Sequence, residues 1–517
     1  MLDNSRSAER AARLVLAALL VGAAILRLWG ISGGIPYALG IDEPQIMARS
    51  VAMMRSGDFN PHFFHYPGFY IYLQLAVSCV QFMYGAARGR WSSLEQAGME
   101  DFVVGGRIVT AAFGVLTIFL VYRAGKRIGP VQALAAAALM SVMPNHVRES
   151  HYILTDVPTT FFVTLALVLS YRAYERGTAT EFMFAGAAAG LAAASKYNGG
   201  LSVIMPVLAA YLLPESLGRR MRLAGTVVVS CIVLFLVASP YTLLDLPGFL
   251  NSFGQLAASL GVRGEGAESG AVIYLKHLRL NMGTPGVLLA LAGLAIAVSR
   301  SRRVDWRLHC ALLTVFPLLY FIMISEHSLI FARYLLPAVP FACLLAGIAA
   351  TDIAAWLQRQ SGMPWVQPLV TVTLVVIMAV PQIRQAVGFN RMISAIGTQR
   401  LAYEWIEANV PKGSDVVVEA TALLLPSNRY RVHQVRRVVD RAASRVVNCA
   451  GYVVASSLSY AEVLDNPTRS APDYEAYRDF FQRRVELASF QPSPERPGPE
   501  LKILKYQPSE ADLNACR

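Results

Sequence analysis

Two adjacent acids stand out in the run Gly40-Ile41-Asp42-Glu43-Pro44, just beyond the first apolar segment of the chain. Ionisable residues at a membrane face mark functional sites by default. The same pair would also serve as the cap and acidic first turn of a helix, because Pro44 suits a first turn. A second constellation runs from Pro144 to Pro158 and gathers His146, Arg148, Glu149, His151 and Asp156. Capping accounts for Asp156 taken singly, but not for so many polar groups in one short loop. Lys196 lies in the tight turn Ala194-Ser195-Lys196-Tyr197-Asn198-Gly199 and is the only lysine between Lys126 and Lys276. Arg333 opens the apolar run Arg333-Tyr334-Leu335-Leu336-Pro337. Lys196 and Arg333 could simply snorkel to lipid phosphates, whereas Arg148 has carboxylate neighbours. Together the three cations suit a phosphate held at a membrane interface, with Arg able to bind it bidentately and Lys acting as a point charge.

The elements that position these groups are membrane helices. Of 517 residues, 55% are hydrophobic and 15% charged, against roughly 25% charged in an ordinary soluble domain. The mean hydropathy is +0.44. Apolar runs near the length that spans a bilayer recur through residues 1–385. They predict about eleven spans, near 13–29, 102–122, 131–145, 157–174, 181–195, 199–213, 223–241, 285–299, 308–324, 334–356 and 366–384. The net charge of +12 reflects Arg-bearing loops between spans, such as Arg123, Lys126 and Arg127, or Arg219, Arg220 and Arg222. That is a positive-inside pattern rather than the aromatic-laced basic stripe of a nucleic-acid binder. It puts the N-terminus in the cytoplasm. An odd number of spans then puts the C-terminus outside. No convincing cleavage site follows the first apolar segment, so it reads as a span rather than a leader.

Two outer segments are long, 30–101 and 243–284, and loops of that length are usually functional. The first carries an amphipathic stretch, Pro44 to Ser56, and an aromatic run, Phe63 to Tyr72, both expected to lie along the interface as short helices. From 386 to 517 the composition turns soluble. Thr398 to Val410 predicts a helix, and Asp415 to Leu425, Tyr452 to Ser457 and Leu501 to Tyr506 predict strands, giving a small extracytoplasmic α/β domain. The six cysteines show no CxxC spacing, and Cys231, Cys310 and Cys343 fall in apolar segments. At most Cys449 and Cys516 could pair.

With these motifs in order, the chain resembles bacterial glycosyltransferases of the C superfamily, of the dolichyl-phosphate-mannose protein mannosyltransferase and aminoarabinose transferase types. The resemblance rests on Asp42-Glu43 after the first span, Phe63-Phe64-His65-Tyr66-Pro67, Arg148 to Asp156, Ser195-Lys196, Ser239-Pro240-Tyr241 and Arg333 to Pro337. In the tail it rests on Arg400 to Ile406 and Asn409-Val410-Pro411-Lys412-Gly413. It implies a polyprenyl-phosphate sugar donor, with mannose or another hexose or pentose as the sugar, and a hydroxyl acceptor on protein, lipid or glycan outside the bacterial cytoplasmic membrane. By motif position Asp42 would be the catalytic base, Glu43 and Asp156 the supporting acids, and Lys196 and Arg333 phosphate contacts. His65, Tyr66, Arg148, His151 and Tyr334 would line the substrates.

The chemistry implied is self-consistent. Phosphate leaves as a stabilised anion, so no protonated carboxyl is needed on the leaving side, unlike glycoside hydrolysis. A carboxylate base then predicts inversion at the anomeric carbon. The chain departs from the aminoarabinose transferases at His65-Tyr66, where they tend to carry Glu-Lys. One acid and one phosphate-binding lysine are thereby absent. A histidine there could bind a divalent metal ion together with His277, although zinc sites take three or four ligands, and hydrogen bonding to sugar or backbone is the simpler use. The rival class is a transporter or flippase of a lipid-linked sugar. It predicts ionisable groups near the bilayer midplane and broken-helix repeats, neither of which the sequence shows.

Overall fold

The computed structural model describes residues 2–37, 40, 42–261, 268–419, 422–426, 429–465 and 471–506. It comprises two compact units. The first holds Met1–Ile31 and Gln45–Gly388, and the second Ser32–Pro44 and Phe389–Arg517.

In chain order the helices up to the second unit are α1 (Leu2–Leu28), α2 (Glu43–Ser56), α3 (Gly68–Ala87), α4 (Glu100–Gly125), α5 (Pro130–Ser141), α6 (Pro144–Glu149), α7 (Asp156–Arg176), α8 (Ala179–Ser195), α9 (Ile204–Tyr211), α10 (Leu217–Ala238), α11 (Tyr241–Leu244), α12 (Leu246–Ser259), α13 (Gly270–Ser299), α14 (Val304–Ser325), α15 (Val339–Ser361) and α16 (Val366–Ser394). Two 3₁₀ segments, Tyr197–Val203 and Ala332–Ala338, precede α9 and α15. Among the described residues, nine helices are long and apolar enough to cross a membrane.

Two of the eleven expected spans are shorter than expected, and a third, α8, matches its expected length but falls below that of the nine. Residues 131–145 hold the 12-residue α5, which stops before Pro144 starts α6, and α8 has 17 residues. Residues 199–213 begin as a 3₁₀ turn and continue into an α9 of only eight residues, because Gly199, Gly200 and Pro206 weaken the α-helical ladder. Conversely α3, inside the expected outer loop 30–101, has 20 residues and is of spanning length. The second expected loop, 243–284, is largely helical. It contains α12 and the start of α13, which breaks at Gly283 (φ 71°) just before Pro285.

The helices approach closely wherever side chains are small. Gly186 and Gly190, one turn apart on α8, lie against the backbone of Val227 and Cys231 on α10, and Gly293 of α13 lies against that of Leu345 on α15. In each case an added Cβ would press on a carbonyl oxygen. This small-residue spacing is how helices associate in lipid, where apolar burial gives no drive between helices. At one end of α7 and α8, Arg172 and Arg176 clasp the buried Glu181 at 2.8 and 2.6 Å. The two antiparallel helices are thereby stapled, which fixes what their other ends present.

The second unit is an α/β domain with α17 (Thr398–Asn409), α18 (Ser444–Cys449), α19 (Ser457–Asp465), α20 (Ala471–Gln482) and strands β1 (Asp415–Glu419), β2 (Arg431–Val435), β3 (Tyr452–Ser456), β4 (Arg484–Phe490) and β5 (Leu501–Tyr506). The sheet order is β2-β1-β3-β5-β4, the first three strands parallel and the last two antiparallel to their neighbours. Strand alternation sends Val417 and Val453 into one core, and Val416, Val418 and Val454 into the other. Glu419 is wholly buried and accepts hydrogen bonds from the amides of Val438 and Ser456 and the hydroxyl of Tyr477. Burial pushes its carboxyl above the usual range while these three donors pull it back. Cys449 is disulfide-bonded, and Cys516, its candidate partner by sequence, lies outside the described residues.

Gly190→Val should force α8 from α10 and destabilise the fold by about 1–3 kcal/mol, the usual scale of overpacking. It should be read as a lowered Tm in detergent. Gly225→Ala, on α10 with nothing near its Cβ position, should leave Tm unchanged. Equal Tm for both variants would contradict the close packing.

Candidate active site

Because α7 and α8 run antiparallel, the first residue of one and the residue after the other share an end of the pair. Asp156 opens α7 and Lys196 follows α8, and their side chains meet at 2.7 Å. Arg333, at the start of the 3₁₀ turn before α15, approaches the other carboxylate oxygen at 3.8 Å. All three side chains are largely buried, at 5%, 15% and 17% exposure for Asp156, Lys196 and Arg333. Asp156 is therefore a counter-ion to two cations rather than a bare helix cap. Burial pulls the Lys196 ammonium below its ordinary range, and the Asp156 carboxylate draws it back up. Removing one member of such a buried pair typically costs about 3–5 kcal/mol.

The ring of Tyr334 lies 4.0 Å from the Lys196 ammonium. Its backbone is fixed in turn, since the buried Tyr320 hydroxyl donates to the Tyr334 carbonyl at 3.0 Å and accepts from the Asn198 amide at 3.0 Å. Asn145 braces the same region, its backbone amide donating to the Asn281 side chain and its side-chain amide to the carbonyl of Ala332. Asn281 lies just before the α13 break, and an amide side chain beside a Gly-Thr-Pro interruption was the available sequence signal for it.

Eight residues before the pair's acid in the chain, Arg148 contacts Glu149 at 3.2 Å. Arg148 is half-exposed, but Glu149 is 2% exposed, and burial pushes its carboxyl up to about 7 against the opposing pull of Arg148, Arg333 and Lys196. The sequence places Glu149 in the polar constellation of residues 144–158 but gives no sign of its burial. The three cations Lys196, Arg333 and Arg148 against the carboxylates of Asp156 and Glu149 leave one net positive charge. Protonation of Glu149 makes it two. A cluster of this sign, already partly stripped of water, can hold an anion.

The histidines make contacts of their own. His151 is buried, with its ring nitrogens 2.8 Å from the Val147 carbonyl and 3.1 Å from that of Trp29, so it braces α6 against the end of α1. Burial lowers its pKa. His146 faces the guanidinium of the buried Arg27 through Nδ1 at 2.9 Å. His65 packs against Phe63, as Tyr66 also does, and His277 lies against Tyr274. Among the described residues no three His, Cys, Asp or Glu side chains gather where a metal ion could sit, so His65 and His277 belong to no such group. The segment Phe63–Pro67 is tied to the α8 end by the Tyr197 hydroxyl, which donates to the Phe64 carbonyl at 2.9 Å, and to α10 by Ser239, which accepts from the Gly68 amide at 3.0 Å. Beside it an apolar cleft of about 480 Å³ is lined by Phe59, Phe69, Tyr72, Val237, Pro240 and Tyr241 among others.

Asp42 and Glu43 lie in the other unit. Glu43 starts α2, is wholly buried, and accepts from the Gly40 amide at 2.6 Å. It thus closes the turn that presents Asp42, which is half-buried immediately before the helix.

The dolichyl-phosphate-mannose-protein mannosyltransferase family matches residues 99–243, the stretch that contains Arg148, Asp156 and Lys196. The undecaprenyl phosphate-alpha-4-amino-4-deoxy-L-arabinose arabinosyl transferase of Pseudomonas paraeruginosa is 28% identical over 39% of this chain and 35% of its own length. A second, from Pseudomonas fluorescens, is 27% identical over 52% of this chain and 50% of its own. The chain therefore spans half or less of the length of these curated relatives. Solved structures match over far more. ArnT from Cupriavidus metallidurans in the apo state covers 96% of this chain and 98% of its own, with a TM-score of 0.56 at 16% identity. The Archaeoglobus fulgidus oligosaccharyltransferase tethered with an acceptor peptide covers 97% of this chain and 74% of its own, with a TM-score of 0.55 at 14% identity. The chain shares its fold with these two solved structures. In this chain that fold is a unit of long apolar helices together with a small sheet domain.

Infrared difference spectra across neutral pH should show a protonated-carboxyl band that titrates with a midpoint of about 7 and disappears in Glu149→Gln. A band unchanged by the substitution would mean that Glu149 is not the group held neutral by burial.

Proposed function

We propose that this protein transfers a sugar from a polyprenyl phosphate to a hydroxyl acceptor on the outer side of the bacterial cytoplasmic membrane. The observation that carries this reading is the convergence of Lys196 and Arg333 on Asp156 in a buried, net-positive cluster at the end of a helix pair. A lipid-linked phosphate offers the anion such a cluster lacks, and the apolar cleft between α3 and α10 suits isoprene units of its tail. The curated relatives are named for an undecaprenyl phosphate-linked aminoarabinose, and ArnT from Cupriavidus metallidurans has been solved bound to undecaprenyl phosphate. Both support a polyprenyl-phosphate donor.

The chemistry assigns one task to each group. Asp42 takes the proton of the acceptor hydroxyl as its oxygen attacks the anomeric carbon, and the bond from that carbon to the phosphate oxygen breaks. The electron pair leaves with the polyprenyl phosphate, whose charge Lys196, Arg333 and Arg148 neutralise. Attack from the face opposite the phosphate inverts the anomeric centre. Asp156 keeps the two inner cations ordered while the site is empty, and Glu43 sets the turn that carries Asp42. Tyr66, Tyr334 and His65 line the donor. In this reading the N-terminus is cytoplasmic and the soluble unit lies outside, which puts the acceptor, whether protein, lipid or glycan, in the cell envelope.

The test is transfer of labelled sugar from a panel of polyprenyl-phosphate sugars in proteoliposomes. Wild type should form product with inverted anomeric configuration. Asp42→Asn, at matched folded yield, should lose at least about a hundredfold in turnover, the low end of general-base effects. Wild type that carries the intact donor across the bilayer without cleaving it would overturn the transferase in favour of a flippase.

A further inference from the structure

The segment that links α1 to α2 groups with the soluble unit, not with the helices on either side of it. Its anchor is Tyr37. The carbonyl of Tyr37 accepts a hydrogen bond from the Leu424 amide at 2.7 Å. Its ring meets that of Tyr403, on α17, edge-on with centroids 4.9 Å apart and planes at 70°. The Arg400 guanidinium lies 5.9 Å from the Tyr37 ring centre. Tyr37 also packs against the cluster formed by Ala402, Ile406, Val418, Leu423 and Leu501. Six residues on, Glu43 holds the Gly40 amide and begins α2. Asp42 thus sits on a short tether with both ends fixed, since six residues can span at most about 20 Å.

We propose that Tyr37 is a positioning residue, through which the soluble domain holds the loop that presents Asp42. The inference rests on the assignment of Asp42 as base. It gives the soluble domain a part in turnover that does not require it to contact either substrate. A displacement of about 1 Å in a reacting group can lower the rate by about a hundredfold, so an aromatic clamp five residues from the base is within reach of the chemistry.

The experiment uses the full chain in proteoliposomes with the donor that supports wild-type transfer. Tyr37→Ala should lower kcat by about tenfold or more with KM for the donor within about twofold, because the phosphate cluster is left intact. Tyr37→Phe, which keeps the ring, should restore wild-type kcat. Tyr403→Ala should copy Tyr37→Ala, and the double variant should be no slower than either single one, as expected of two halves of one contact. Hydrogen exchange should accelerate in the peptide covering residues 36–44 in Tyr37→Ala but not in β1 or β3. Unchanged kcat in Tyr37→Ala would overturn the proposal. So would a loss of exchange protection throughout the sheet, which would mark Tyr37 as a general stabiliser of the domain. Asp42→Asn run in parallel separates the two assignments. Full activity there defeats the choice of base, while the exchange data still report whether Tyr37 clamps the loop.

Discussion

The ion pair between the Lys196 ammonium and the Asp156 carboxylate, 2.7 Å long and largely shielded from water, is the constraint around which the helical unit is arranged. Charged groups buried this deeply are stable only when paired and well placed. The surrounding structure supplies the placement. The Arg172 and Arg176 clasp on Glu181 locks the far end of α7 against α8, and Gly186 and Gly190 let α10 press onto α8. Tyr320 and Asn198 then fix Tyr334 beneath the lysine. None of these groups would be needed to stabilise a purely apolar bundle. Their combined effect is a cluster whose charge is only partly balanced, at a depth where an incoming phosphate would meet little competition from water.

Glu149 gives the cluster a second state. Its burial keeps the carboxyl protonated through mildly acidic conditions, when the site carries its greater positive charge, and ionisation near neutrality weakens it. Asp42 belongs to the chain's other unit. The group proposed to take the proton and the groups proposed to hold the leaving phosphate are therefore set by separate parts of the fold.

The polar landmarks and the long apolar runs were readable in the sequence because they obey local rules. Asp156, Lys196 and Arg333 stood at span ends, and α2, α17, β1, β3 and β5 showed clear periodicity or β-branched runs. β2 and β4 were missed because they flank the sheet and read as polar: Arg431-Val432-His433-Gln434-Val435 lacks a buried face, and β4 carries a bulge between Glu486 and Ala488. Helix lengths depart from the expected spans where Gly-Gly and Pro shorten a helix that tertiary packing nonetheless buries, at α9, and where the aromatic run expected at the interface continues as the 20-residue α3. The depth of Glu149, the bracing role of His151 and the grip on Tyr37 depend on contacts distant in sequence. No local pattern announces them.

The most direct test of the phosphate seat is ³¹P NMR of undecaprenyl phosphate, without sugar, titrated with the detergent-solubilised protein. Wild type should shift the phosphorus resonance saturably. Lys196→Gln and Arg333→Gln, at matched folded yield, should each weaken that binding by about 10- to 100-fold, the worth of one hydrogen bond to a charged group. Binding as tight as wild type in both variants would contradict the assignment of this cluster as the place where the lipid-linked phosphate is held.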